Sequence, residues 1–218
     1  MLKSTYFQLS TLTVKILSLA GISILAAANP GLAFKFNSST TNTFGDVLLS
    51  PDGVQLTNAF SDGADDPTLN FNLSGNDPFY IADLELELGL PDYSLDPDPD
   101  NFVRAAEGSA IATTISVAAG DVLSFNWNFF TNDSSFVPEG FGDYAFFLLN
   151  DTLTTLADTN IFLTSSPTNF NRETGLTSFS HTFLTDGNYT IGFGVIDVIN
   201  ISSTSSLAIA DLQLTSPP

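Results

Sequence analysis

The sequence contains no cysteine among its 218 residues. Disulfide bonds, thiolate-based zinc sites and thiol catalysis are therefore excluded. A domain of this composition must draw its stability from a hydrophobic core or from a metal ion held by oxygen ligands. The 20 phenylalanines supply enough apolar volume for such a core.

Basic residues are also scarce, since five Lys and Arg stand against 24 Asp and Glu, for a net charge of −19. Beyond position 33 the basic residues are Lys35, Arg104 and Arg172. Such a chain cannot neutralise nucleic-acid phosphates, and anionic membrane surfaces repel it. We therefore expect cations or uncharged polymers as partners and no nucleic acid, although acidity by itself also keeps a protein soluble.

Histidine occurs once, at position 181, which excludes a His-based metal cluster. His181 falls on the same strand face as Phe179 and Phe183, a pattern typical of a packed, hydrogen-bonded histidine. A secreted hydrolase is a remote alternative, because the G-x-S-x-G nucleophile motif is absent. Carboxylate pairs do not indicate a glycosidase either, since 24 acids will always contain some suitable pair.

The N-terminus has the features of a secretory signal peptide. Lys3 and Lys15 accompany an apolar run over 16–28 that is short and rich in small residues. Small residues allow cleavage after Ala28 or Ala33, and we favour Ala33. An uncleaved anchor is the alternative.

Cleavage after residue 33 leaves residues 34–218 as a single domain. We expect this mature chain to be secreted, extracellular or at the cell surface, and not inserted in a membrane. The sequence ends in "LTSPP" with no apolar span or basic tail behind it, so either the protein is released or an anchoring tail is missing from this sequence.

Alternation of apolar and polar residues predicts strands in this region. In 121–130 the side chains of Leu123, Phe125, Trp127 and Phe129 point one way and those of Ser124, Asn126 and Asn128 the other. Turn signals predict hairpins at Pro51-Asp52-Gly53 within 48–56 and at Asp186-Gly187 between 177–184 and 188–195. Residues 206–214 read as a closing strand. Short strands with regular turn signals indicate an all-β, antiparallel β-sandwich.

One short helix is predicted near 78–88. Asp77 can cap it, Pro78 suits its first position and Gly89 can end it. The segment "LELEL" alternates as a strand would, but the start and stop signals favour the helix.

Several segments together resemble a known group of proteins. They are "AEGSAIATTISVAAGDVLSFNWNFFTND", "DYAFFLL", "LADT", "GNYTIGFGVIDV" and "SSLAIADLQL". The set is similar to the jelly-roll ectodomains of secreted cyanobacterial PEP-CTERM (exosortase-sorted) proteins, over about residues 107–214. The resemblance implies an extracellular jelly-roll sandwich, like that of carbohydrate-binding modules, and no enzymatic activity. In jelly-roll carbohydrate-binding modules an aspartate of the closing strand often binds a structural calcium ion, which implies this role for Asp211 together with Glu107. The alternative is an edge-strand Asp211 that faces water.

Residues 96–107 have the carboxylate spacing of a calcium loop. Asp96, Asp98 and Asp100 occupy alternate positions and Glu107 the twelfth, which suits the hard oxygen ligands that Ca²⁺ needs. Asn101 replaces the usual glycine and no helices flank the loop, so an EF-hand is disfavoured. A looser calcium loop remains one reading and a solvated acidic loop the other.

Sugar binding requires exposed aromatic rings beside hydrogen-bonding groups. Trp127 shares a face with Phe125 and Phe129, which favours core packing. Tyr93 and Tyr144 are therefore the candidate ligand-binding residues. The function expected is a non-catalytic, calcium-stabilised extracellular module that binds polysaccharide or matrix. The alternative is a purely structural or adhesive envelope protein without a small ligand.

Overall fold

The computed structural model describes residues 32–33, 36, 40–66, 68–98, 100, 103–133, 142–161, 163–199 and 202–217. Within them the chain forms 14 β-strands and one α-helix, α1 (Ile81–Leu88). The strands are β1 (Leu32–Ala33), β2 (Thr41–Phe44), β3 (Asp46–Ser50), β4 (Gly53–Thr57), β5 (Phe79–Tyr80), β6 (Ala105–Val117), β7 (Val122–Thr131), β8 (Tyr144–Leu149), β9 (Thr152–Asp158), β10 (Thr164–Ser165), β11 (Arg172–Glu173), β12 (Thr177–Thr182), β13 (Gly187–Val198) and β14 (Ser205–Thr215).

These strands make two sheets that pack face to face. Sheet A has the order β10-β11-β7-β14-β4-β3, with β1 paired to β14 and β12 paired to β7. Sheet B has the order β2-β6-β13-β8-β9, with β5 paired to β6. Every pairing between described strands is antiparallel. The predicted antiparallel β-sandwich is confirmed.

The main core lies between the two sheets. The predicted alternation of β7 is confirmed, because Phe125 and Phe129 are buried there and Trp127 is only 7% exposed. The ring of Phe125 meets the rings of Phe147 and Phe193, which come from sheet B, at centroid distances of 5.4 and 4.8 Å. Each such ring contributes about 1.5–3 kcal/mol by leaving water.

A second core covers the outer face of sheet B. Leu84 of α1 and Leu95 of the following loop are fully buried against Phe146 and Ile196 of the sheet. Sheet B is therefore apolar on both faces, which explains continuous hydrophobic runs such as "YAFFLL" in β8.

The predicted helix is confirmed, but its predicted start is wrong. The helix ends at Gly89, whose φ of 71° is one that glycine tolerates best. It begins after Tyr80 rather than at Pro78, because Phe79–Tyr80 first pair with β6 as strand β5. Asp77 accepts a hydrogen bond from the backbone N–H of Ser61 instead of capping the helix.

One predicted hairpin is confirmed and the other is wrong. β3 and β4 pair through Ser50 and Gly53, as the Pro-Asp-Gly signal indicates. β12 pairs with β7 in sheet A, whereas β13 lies in sheet B, so Asp186-Gly187 connects the two sheets. A turn signal shows where the chain reverses but not which strand becomes the partner.

The predicted signal peptide lies outside the described residues except for β1. Leu32 and Ala33 pair with Leu214 and Gln213 of β14. Cleavage after Ala33 would remove this strand and cleavage after Ala28 would keep it. None of the helices in the described part of the chain has the length and apolar character needed to cross a membrane.

Candidate functional site

The acidic loop between α1 and β6 is held to its neighbours by the carboxylate of Asp96. Asp96 is buried, forms an ion pair with Arg104 and accepts the N–H of Ala105 at 2.9 Å. Asp98 bridges to Val103 through the backbone, and Asp100 is exposed. The structure does not bring Asp96, Asp98 and Asp100 together around one point with Glu107.

Asp211 does not meet Glu107 either. It lies at a bulge of β14 in sheet A with a left-handed φ of 53°, it is exposed, and it accepts a hydrogen bond from Asn126 Nδ2 at 2.8 Å. Glu107 belongs to β6 of sheet B. In the described part of the chain, no three Asp, Glu or His side chains are arranged as a ready-made metal site.

Glu107 is instead part of a group of buried acids at one end of the sandwich. It is 2% exposed and stands directly opposite Asp197 of β13, which is also 2% exposed. Electrostatic interaction links Asp197 with three further buried acids as well. We call the five the carboxylate cluster: Asp65, Glu107, Asp133, Asp143 and Asp197.

The strand pattern explains why these acids meet. Side chains of a strand alternate between faces, so every second residue continues the same face. Asp197 follows inward-facing Val195, Asp143 precedes inward-facing Ala145, and Asp133 continues the inward series that passes through Phe129. Where these strands end, the apolar core is thus replaced by carboxylates from several strands. Extending the alternation of β7 by two steps would have found Asp133.

Burial among like charges alters the acidity of the cluster. Burial, with a smaller contribution from Asp65, raises the pKa of Glu107 to about 7. Burial and the charge of Asp143 raise the pKa of Asp197, and burial raises that of Asp143 despite a hydrogen bond from Ser205. Such groups favour neutralisation by a proton or by a bound cation.

The cluster is unevenly supplied with hydrogen bonds. Asp143 accepts from Ser205 Oγ at 2.6 Å, from Asn58 Nδ2 at 3.1 Å and from the N–H of Val198 at 3.2 Å. Glu107 Oε1 and Asp197 Oδ1 are buried and have no hydrogen-bond partner. Buried polar atoms of this kind are rare and need an explanation.

A cavity of about 280 Å³ lies on the outer side of sheet B, beside β8 and β9. Its lining mixes rings and aliphatic groups with hydroxyl, amide and carboxylate groups: Ser94, Asp96, Pro97, Gly142, Tyr144, Phe146, Leu153, Thr155, Asp158 and Asn160. Tyr144, a predicted ligand residue, is half-buried and donates its hydroxyl to Leu95 O at 2.5 Å. Burial raises its pKa, so the hydroxyl keeps its proton.

Tyr93, the other predicted ligand residue, stands beside this cavity. It is 59% exposed, and Arg104 lies over its ring at 4.4 Å from the centroid. Arg104 pairs in turn with Asp96, which lines the cavity. Tyr93 has a φ of 68°, an unfavourable region for a bulky residue, and its N–H is held by Glu85 Oε2 at 2.9 Å. Tyr144 thus lines the cavity, whereas Tyr93 is connected to it through Arg104 and Asp96.

A second, shallower groove of about 340 Å³ crosses sheet A. Its polar side chains include Asn126, Ser178 and Asp211, which are already hydrogen-bonded to one another. Trp127 faces the core instead and offers no ring to this groove. The cavity beside β8 and β9 is therefore the stronger candidate.

Comparison with known proteins finds solved structures with weak similarity but no family. No family model matches the chain, and no curated protein matches it. Among solved structures it is similar to the module TmCBM61 in complex with β-1,4-galactotriose, with a TM-score of 0.30 and 11% identity, over 51% of this chain and 64% of that one. It is also similar to a β-glucosidase from Kluyveromyces marxianus, with a TM-score of 0.28 and 12% identity, over 75% of this chain and 16% of that one.

Proposed function

We propose that this protein is a secreted, non-catalytic extracellular β-sandwich module that binds a neutral polysaccharide in the cavity beside β8 and β9. The observation that carries the proposal is the lining of that cavity. The half-buried ring of Tyr144 adjoins Thr155, Asp158 and Asn160, whose groups can bond sugar hydroxyls. Sugar rings need this combination of an apolar surface and hydrogen-bonding groups.

The charge of the protein favours an uncharged ligand. Asp96 and Asp158 line the cavity and the net charge is −19, so an acidic polysaccharide would be repelled. The volume of about 280 Å³ is at the lower end of small-molecule sites, which span roughly 300–1,000 Å³. It suits one or two sugar units of a longer chain.

Features of the sequence support the extracellular setting. The basic and apolar character of the first 33 residues is typical of a secretory signal. The segments that resemble PEP-CTERM ectodomains include β6, β7, β13 and β14, which form most of the sandwich. An envelope polysaccharide is the partner that this setting suggests.

Tyr93 gives the test. We expect native gel electrophoresis in galactan, glucan or mannan to retard the protein, with alginate as the acidic control. Tyr93→Ala should weaken retardation at least tenfold, because it removes an exposed ring at the cavity. The matched control is Tyr80→Ala, which removes a 71% exposed tyrosine elsewhere on the surface.

Two results would contradict the proposal. One is the absence of retardation by any neutral polysaccharide at about 10 mg/mL, which would favour a purely structural or adhesive envelope protein. The other is equal weakening by the Tyr93 and Tyr80 variants, which would place binding away from the cavity.

A further inference from the structure

The carboxylate cluster contains two buried acidic oxygens with no hydrogen-bond partner. Glu107 and Asp197 are each 2% exposed and stand opposite one another on neighbouring strands, and Glu107 Oε1 and Asp197 Oδ1 are the unpartnered atoms. Directly opposite side chains on paired strands have Cβ atoms about 4.5–5.5 Å apart. Two like charges at this separation, both out of water, require a positive partner or a proton.

A neutral oxygen without a partner lies at the edge of the same cluster. Thr159 follows β9, is 1% exposed, and its Oγ1 also lacks a hydrogen-bond partner. A hydroxyl needs little to be satisfied, since it can rotate to suit any nearby acceptor. Because Thr159 Oγ1 has no partner although it lies beside the acidic cluster, we take this oxygen as a candidate ligand atom.

Gly142 keeps this place open. A Cβ added at Gly142 would lie 1.9 Å from Thr159 Oγ1 and 2.9 Å from Asp133 Oδ2. The φ of Gly142 lies outside the left-handed region, so its backbone conformation does not require glycine. The space next to the two oxygens does require it, because any side chain would fill the space.

We propose that the carboxylate cluster binds one divalent cation of the calcium type between the ends of the two sheets. The donors are all hard oxygens, which Ca²⁺ prefers and collects in sets of six to eight. Glu107, Asp197 and Thr159 supply the unpartnered oxygens, and Asp133 and Asp143 complete the acidic wall. This residue set shares only Glu107 with the one that the sequence predicted.

In the described part of the chain these carboxylates do not already form a metal-binding group. Carboxylates of like charge repel, so the proposal requires Glu107 and Asp197 to turn their oxygens toward the cation when it binds. Calcium tolerates irregular geometry better than magnesium does, because its coordination is flexible while that of magnesium is near-octahedral. Calcium is therefore expected to bind more tightly than magnesium.

Burial of an acid in this protein does not by itself leave its oxygens without donors. Asp46 is fully buried and accepts hydrogen bonds from the N–H groups of Leu73 and Ser74 and from the hydroxyl of Thr57. Asp46 is thus buried with several hydrogen-bond donors around its carboxylate. Glu107 and Asp197 differ from it because each has a buried oxygen that accepts no hydrogen bond.

The experiment is equilibrium dialysis of the purified chain against calcium, followed by metal analysis, with thermal unfolding in chelator and in calcium. We expect about one calcium per chain with a Kd of roughly 10⁻⁴–10⁻³ M, as in extracellular calcium modules. Glu107→Gln should weaken binding at least tenfold. Asp211→Asn, which changes an exposed acid in sheet A, should bind as the unaltered protein does.

Thr159→Val keeps the test decisive if the cluster variants fold poorly. Its side chain is nearly isosteric and the lost hydroxyl makes no hydrogen bond, so the melting temperature in chelator should not fall. Calcium binding should weaken severalfold. Binding of less than about 0.1 calcium per chain at about 5 mM calcium would overturn the proposal, since modules of this class would then be saturated. Full binding by both Glu107→Gln and Thr159→Val would overturn it equally.

Discussion

Two buried glutamates of this protein have the same exposure but differ in the hydrogen bonds that their carboxylates accept. Glu85 of α1 and Glu107 of β6 are each 2% exposed. Glu85 accepts the N–H groups of Tyr93 and Leu95 at 2.9 and 2.8 Å, so both of its oxygens hold the acidic loop. Glu107 has an unpartnered Oε1 and faces Asp197. Burial alone therefore does not show that an acid is structural. The hydrogen-bond donors around its carboxylate do.

The same contrast separates two regions of the fold. In the layer over sheet B, Glu85 and Asp96 each fasten a loop with backbone hydrogen bonds. Between the ends of the sheets, Asp197 Oδ1 and Glu107 Oε1 accept no hydrogen bond and so hold no neighbouring segment in place. The acids of the first region stabilise the fold through hydrogen bonds, and we propose that those of the second bind a cation.

The largest effect is predicted for the layer over sheet B. Glu85→Ala should reduce the free energy of unfolding by about 3 kcal/mol, because hydrogen bonds to a buried charged group are worth about 1.5–3 kcal/mol each. Urea denaturation measures the loss. The control is Glu87→Ala on the exposed face of the same helix, which should stay within about 0.5 kcal/mol. Equal losses in the two variants would refute the role of Glu85.

A smaller effect is expected in the second region. Gly142→Ala should cost about 2 kcal/mol, because the new methyl group would collide with Thr159 Oγ1. Gly187→Ala is the control, since an added Cβ there has its nearest contact at 3.4 Å and no positive φ opposes it. Chemical denaturation of both variants gives the comparison. A neutral Gly142→Ala would show that the space beside Asp133 is not needed.

The smallest effect concerns the helix that carries Glu85. Gly89→Ala should cost about 1 kcal/mol, because alanine is strained at a φ of 71°. Nothing lies within 4 Å of an added Cβ, so the cost would be purely conformational. Thermal unfolding measures it as a shift of a few degrees. An unchanged melting temperature would mean that the helix end adapts.

The fold was largely predictable because its signals are local. The alternation of β7, the Pro-Asp-Gly turn and the Gly89 stop each act over a few residues, and the structure has all three. The Asp186-Gly187 hairpin failed because its two strands enter opposite sheets, which depends on residues far away in the sequence. The Pro78 start failed for the same reason, since pairing with β6 decides where the helix begins.

The site was less predictable because it gathers residues that are remote in sequence. Asp65 and Asp197 are separated by more than half the chain, and a calcium-loop spacing at 96–107 was the more visible signal. Of the residues in that spacing, only Glu107 belongs to the carboxylate cluster. Ligand binding by Tyr93 and Tyr144 stays a prediction, and the structure adds that Tyr144 lines a cavity.

The most direct measurement compares Glu85→Gln with Glu107→Gln by thermal unfolding, each in chelator and in about 5 mM calcium. We predict that Glu85→Gln lowers the melting temperature equally in both conditions, since it removes a structural acceptor. Glu107→Gln should leave the melting temperature in chelator unchanged or higher, and it should abolish the increase that calcium gives to the unaltered protein. The account would be contradicted if the two variants behaved alike, with equal losses in chelator and the calcium increase intact in both.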